Sequence, residues 1–73
     1  MSNAINYQIL KHESYEKLTC EIHINGQLAA VLSNDDGFQL HAAQSFSDTS
    51  VTPEQLQAAV DGAIKKLADA ENK

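Results

Sequence analysis

Three histidines, His12, His23 and His41, and one cysteine, Cys20, are the side chains of this 73-residue chain best suited to metal binding or nucleophilic chemistry. Their spacing supports neither. Zinc modules draw on Cys-x-x-Cys or paired Cys/His ligands, and a single cysteine with no such pairing excludes both those modules and a disulfide framework. Cys20 also alternates with Leu18 and Ile22, which predicts an inward thiol acting as a small hydrophobe, since a reactive cysteine needs exposure and a nearby base. Asn34-Asp35-Asp36-Gly37 opens like a calcium loop, but Ala43 stands where the downstream glutamate is required, so a turn is expected. Ser45, Ser47, Thr49 and Ser50 offer hydroxyls without a Gly-x-Ser-x-Gly elbow or a Ser-x-x-Lys pair. No catalytic activity, cofactor or metal is expected.

These residues must be positioned by a small α+β domain spanning residues 1–73. From Leu18 to Ala42 apolar and polar residues alternate, interrupted at Asn25-Gly26 and Asp36-Gly37, which predicts a three-strand antiparallel meander. Ile5 to Leu10 is β-prone, with Ile5, Tyr7 and Ile9 on one face, and is joined to the meander by the polar stretch Lys11–Lys17, so the expected sheet has three strands, or four where this segment pairs, with one C-terminal helix packed on one face. Strands are expected near 5–10, 17–24, 27–34 and 38–43. A two-residue turn at Asn25-Gly26 would set Leu28, Ala30 and Leu32 beside Glu21 and His23. A three-residue loop, Ile24-Asn25-Gly26, with Gly26 left-handed in a G1 bulge, instead pairs Ile22 with Leu28, Cys20 with Ala30 and Leu18 with Leu32. The second loop, Asp35-Asp36-Gly37, pairs Asn34 with Phe38, Leu32 with Leu40 and Ala30 with Ala42.

In that register Leu18, Cys20, Ile22, Leu28, Ala30, Leu32, Phe38 and Leu40 belong to folding. The outer face carries Thr19, Glu21, His23, Gln27, Ala29, Val31, Ser33, Gln39 and His41, with His23 opposite Gln27 and His41 opposite Val31, too far apart to share a ligand. His12 falls in the polar loop. After a polar crossover with Phe46 tucked inward, a helix is expected near 53–69. Thr52 is its N-cap, Pro53 its first residue and Gln55 completes a capping box, with Val51 and Leu56 spaced as a hydrophobic staple. Leu56, Ala59, Val60, Ala63, Ile64 and Leu67 form the stripe that covers the sheet. Glu54 near its start and Lys65 and Lys66 near its end suit the helix dipole, and the last residues fray. Gly62 either weakens this helix or lets it approach the sheet closely.

Charge narrows the partners. Ten Asp and Glu face five Lys, with no arginine and a net charge of −5. Phosphate neutralisation supplies most nucleic-acid affinity, and arginine is the usual reader of phosphate and guanine, so direct DNA or RNA binding is not expected. An acidic surface favours a larger protein with a basic surface. No apolar run suits a membrane span or a signal segment, so a cytoplasmic, non-membrane setting is expected. In a chain this small, an unstapled core supplies only about 3 to 5 kcal/mol, which makes a homodimer a second possibility.

With its length, its missing arginines and acidic residues at Glu13, Glu16, Glu21, Asp35, Asp36, Asp48 and Glu54, the chain resembles, in size and charge only, small acidic phage or mobile-element inhibitor proteins of the anti-CRISPR type. That resemblance implies a protein-binding inhibitor occupying the basic groove of a nucleic-acid-binding protein such as a CRISPR effector. The residues expected to meet a partner are Glu13, Glu16, Glu21, His23, Val31, Asp35, Asp36 and His41. The alternative is a homodimeric structural or assembly protein without catalytic activity, joined by sheet edge or outer face.

Overall fold

The computed structural model describes residues 3–44, 46, 47 and 50–72. Asp48, Ser45 and Thr49 lie outside the described residues. Four strands, β1 (Ile5–Leu10), β2 (Thr19–Ile24), β3 (Gln27–Ser33) and β4 (Gln39–Ala42), form an antiparallel sheet in the order β1-β2-β3-β4, followed by one helix, α1 (Pro53–Glu71). The fold is therefore α+β, with the helix laid on one face of the sheet.

The helix begins as its sequence dictates. The Thr52 side chain accepts from the Gln55 backbone N–H at 3.1 Å, and the Gln55 side chain accepts from the Thr52 N–H at 3.0 Å. Pro53 follows where its missing N–H costs nothing. Ala59, Ala63 and Leu67, spaced four apart, are fully buried against Cys20, Ile22, Ile24, Ala30 and Leu32 of the sheet. Leu56, Val60 and Ile64 flank them, half-buried, and Val51 and Phe46 pack on the same cluster. The helix runs to Glu71, two residues beyond the expected end, and Asn34 Nδ2 donates to Glu71 Oε2 at 3.0 Å across to the sheet. Lys65 and Lys66 consequently sit before the last turn, which holds no basic residue, so they do not serve the dipole as expected.

Gly62 resolves in favour of close approach. An added Cβ would overlap the Tyr7 hydroxyl and lie 3.1 Å from Tyr7 Cζ. Tyr7 does not swing aside freely, because its hydroxyl donates to the Ala59 carbonyl at 2.8 Å.

The first hairpin corrects the expected loop. Ile24 pairs with Gln27 across a two-residue Asn25-Gly26 turn, with φ of 54° at Asn25 and 81° at Gly26. Positive φ at both positions is the type I′ geometry whose twist suits a hairpin. The conflict of faces is settled inside β3 instead. His23 pairs with Leu28 and Ile22 with Ala30, so Ala29 is the extra residue of a bulge. Ala30 and Leu32 thereby return to the core face opposite Ile22 and Cys20, while Leu28 stays on the outer face beside His23. Ile24, assigned to a loop by the three-residue reading, is fully buried. The second connection keeps the expected register, with Leu32 paired to Leu40, Ala30 to Ala42 and Gly37 left-handed at φ 91°, but β3 ends at Ser33 and β4 begins at Gln39, so the expected Asn34–Phe38 pair is not part of the ladder.

Two further assignments fail for one reason. Phe38 and Leu40, expected in the core, are 46% and 44% exposed. They share the helix-side face, but α1 packs over β2 and β1, touches β3 lightly, and has no contact with β4 among the described residues. A single helix is too narrow for four strands.

Candidate interaction surface

The outer face is built by the loop between β1 and β2, which folds over it. Glu21 sits at the centre of β2, and its two carboxylate oxygens meet different imidazoles: His12 Nε2 at 3.1 Å and His23 Nε2 at 3.0 Å. A carboxylate only accepts, so each Nε2 carries the proton in these contacts. His23 lies two residues along the same strand, on the same face, whereas His12 arrives from the loop. Tyr15 of that loop crosses the sheet to His41 on β4, with ring centroids 6.0 Å apart, and meets His12 edge-on at 6.2 Å. Lys11 Nζ donates to the carbonyls of His12 and Tyr15, which ties the loop to its own start.

The face is therefore not flat and open as its alternation suggests. Thr19, Ser33 and Ala29, expected on that surface, are buried, and Thr19 Oγ1 donates to the Leu10 carbonyl at 2.9 Å. Beneath Tyr15 a cleft of about 250 Å³ is lined by His12, Leu28, Val31, His41 and Ala43. Its walls mix apolar side chains with imidazole edges and Ser14, and its opening faces solvent. No group of three or more His, Cys, Asp or Glu among the described residues has the geometry of a metal site.

The residues expected to meet a partner fall into two groups. Glu21, His23, Val31 and His41 belong to the outer face, with Val31 paired between Glu21 and His41. Glu13, Glu16, Asp35 and Asp36 are exposed at the loop end of the sheet. Asp35 has a structural task there. Its Oδ2 accepts from the Glu16 N–H at 3.0 Å and its Oδ1 from the Lys17 N–H at 2.9 Å, stapling the β1–β2 loop to the β3–β4 turn. The staple sets Glu16 beside the Asp35-Asp36 turn, two segments that lie far apart in sequence.

Cys20 is an inert core residue. Burial raises its thiol above the ordinary 9.0; nearby Lys66 opposes the shift and Glu21 adds to it. Burial likewise raises the Tyr7 phenol above 10.0, with Cys20 contributing. Both groups stay neutral at physiological pH.

Sequence reasoning passed over Asn3. Its Nδ2 donates to Gln55 Oε1 at 2.9 Å, and its Oδ1 accepts from Asn25 Nδ2 at 2.9 Å. Asn25 also exchanges bonds with Ala4: its N–H donates to the Ala4 carbonyl at 2.8 Å, and its Oδ1 accepts from the Ala4 N–H at 2.9 Å. The start of β1, the first hairpin turn and the helix N-terminus are thus joined by short amides. Only a preference of asparagine for turns was visible beforehand, and that marks Asn25 alone.

Comparison with protein-family profiles, curated proteins and solved structures returned no match to this chain.

Proposed function

We propose that this chain is a small acidic protein-binding module whose loop end docks on a basic surface of a larger protein and blocks nucleic acid there, in the manner of anti-CRISPR-type inhibitors. The observation that supports this reading is the Asp35 staple. Two backbone N–H bonds to one carboxylate hold Glu16 and Asp36 on a common, preordered surface, so little ordering entropy remains to be lost on docking. Carboxylates in that position attract lysine and arginine side chains over a distance, raising the association rate at low salt. The test is capture from the native host on immobilised protein, with wild type beside Glu13→Lys/Glu16→Lys and Asp36→Lys. A captured basic protein that elutes with salt and is lost in the variants is the expected result. Capture that ignores both salt and charge reversal would remove the electrostatic mechanism.

A second reading, homodimeric assembly, draws on a different observation. Phe38 and Leu40 stand exposed beside the open edge of β4.

A further inference from the structure

The geometry points to a second copy of this chain as the occupant of the β4 edge, paired antiparallel about a two-fold axis with Leu40 opposite the partner's Leu40. The inference rests on the assembly reading and is independent of acidic docking.

Backbone direction fixes which groups are on offer. The Ala43 N–H donates to the Ala29 carbonyl at 2.9 Å, so Ala43 and Ala29 form a hydrogen-bonded pair of the β3–β4 ladder. Such pairs alternate along antiparallel strands, which makes Ala30–Ala42 and Leu32–Leu40 the non-bonded pairs. The N–H and C=O groups of Leu40 and Ala42 therefore point away from β3. A two-fold strand pair centred on Leu40 brings these outward groups into register: Leu40 with the partner's Leu40, and Phe38 with the partner's Ala42. The same register puts Phe38, Leu40 and Ala42 of both copies on one face, between the two helices, and Gln39 opposite the partner's His41 on the other.

Charge permits this contact for a second copy and gives a basic partner nothing to hold. From Gly37 to Ser47 the sequence contains no Asp, Glu or Lys. The edge also lacks the lysine and proline that usually guard exposed strands. Two copies each carrying −5 repel overall, but an antiparallel pair sends their acidic turns to opposite ends. Asp36 and the partner's Asp36 would be eight strand positions apart, roughly 26 Å at about 3.3 Å per residue. That is several times the screening length of about 8 Å at physiological ionic strength.

The edge is short. An interface of one strand pair and two large apolar side chains per copy falls at or below the roughly 1,200 Å² that separates weak from stable complexes. Dimerisation is accordingly concentration-dependent.

Sedimentation equilibrium from about 10 μM to about 1 mM tests this, since weak interfaces of that size associate in this range. Wild type is expected to pass from monomer to dimer. Leu40→Lys, which sets two ammonium groups face to face at the axis, is expected to remain monomeric, with its helix content by circular dichroism showing that the fold persists. Hydrogen exchange at the two concentrations is expected to slow at the Leu40 and Ala42 amides and not along β1. A monomer throughout would overturn assembly itself. A dimer that survives Leu40→Lys, or that protects β1 amides instead, would overturn the β4 edge while leaving assembly in place. Asp36→Lys, which bears on the acidic docking surface, is expected to leave the dimer intact, so failure of one reading is separable from failure of the other.

Discussion

The sheet has two edges, and they are finished differently. Neither β1 nor β4 carries an Asp, Glu, Lys or Arg, and both place apolar side chains on the helix side. On β1 these side chains lie under α1: Ile5, Tyr7 and Ile9 are half-buried, Tyr7 is bonded to the Ala59 carbonyl, and Lys66 Nζ stands 5.7 Å from the centre of its ring. Lys66 and Asp69 line the groove beside this edge, so charge borrowed from the helix guards it. On β4 the helix is absent, and Phe38 and Leu40 are left exposed. What protects a sheet edge here is tertiary position and not the composition of the strand.

Breaking the guarded edge should cost most. Tyr7→Ala removes a half-buried ring and its hydrogen bond, and is expected to cost about 2 to 3 kcal/mol, a large part of what a domain of this size possesses. Urea unfolding reads it as a lower midpoint; an unchanged midpoint would mean that α1 does not anchor β1. Gly62→Ala tests the same contact from the helix side. Alanine gains about 1 kcal/mol in helix propensity, yet its methyl group meets a tethered Tyr7, so a net loss of about 1 to 2 kcal/mol is expected. In the double variant with Tyr7→Phe, which lacks the overlapping oxygen, the two losses should fall short of adding; additivity would place the clash elsewhere.

At the β4 side the sensitive point is the turn that leads into the strand. Asp35→Ala leaves the Glu16 and Lys17 amides without their carboxylate and is expected to cost about 1 kcal/mol, since both groups are reachable by water. Faster exchange of those two amides would identify the staple as the cause. Alkali should separate the edges more gently. The Cys20 thiol and Tyr7 phenol both have raised values in the folded chain, so the unfolded chain loses these protons first as pH increases. Stability is then full below about pH 9 and falls as pH rises through the folded values, which urea midpoints at pH 8, 9.5 and 10.5 would register. Tyr7→Phe should shrink that slope. Least of all is expected from Phe38→Ser, within about 0.5 kcal/mol in dilute solution, because the residue is half exposed and lies outside the core cluster in a single copy. A larger loss would show that β4 is covered within one chain.

Much of the fold was legible locally. Thr52, Pro53 and Gln55 mark the helix start because a capping box is made by residues in contact along the chain, and Ala59, Ala63 and Leu67 mark its buried stripe by period alone. The hairpin at Asn25-Gly26 was less legible. Alternation counts residues and cannot locate an extra one, so the same conflict of faces fits a longer loop or a bulge at Ala29; the positive φ of both turn residues decides for the bulge. Of the candidate partner-contact residues, the sequence placed His41 opposite Val31 correctly. It gave no hint that His12 and His23 share the Glu21 carboxylate, since that contact depends on where an irregular loop returns.

By itself, then, the sequence determined an acidic, arginine-free chain with a three-strand meander, a β-prone segment before it and one capped helix, with Cys20 inside and the alternation broken at Asn25-Gly26 and Asp36-Gly37. Those are properties of neighbours along the chain. Only the tertiary structure decided that Asp35 would bind the Glu16 and Lys17 amides, that the β1–β2 loop would cover the outer face, and that β4 would be left beyond the reach of the helix. The physical reason is width: strands stand about 4.8 Å apart and a helix is about 10 Å across, so one helix covers two strands well and cannot cover four.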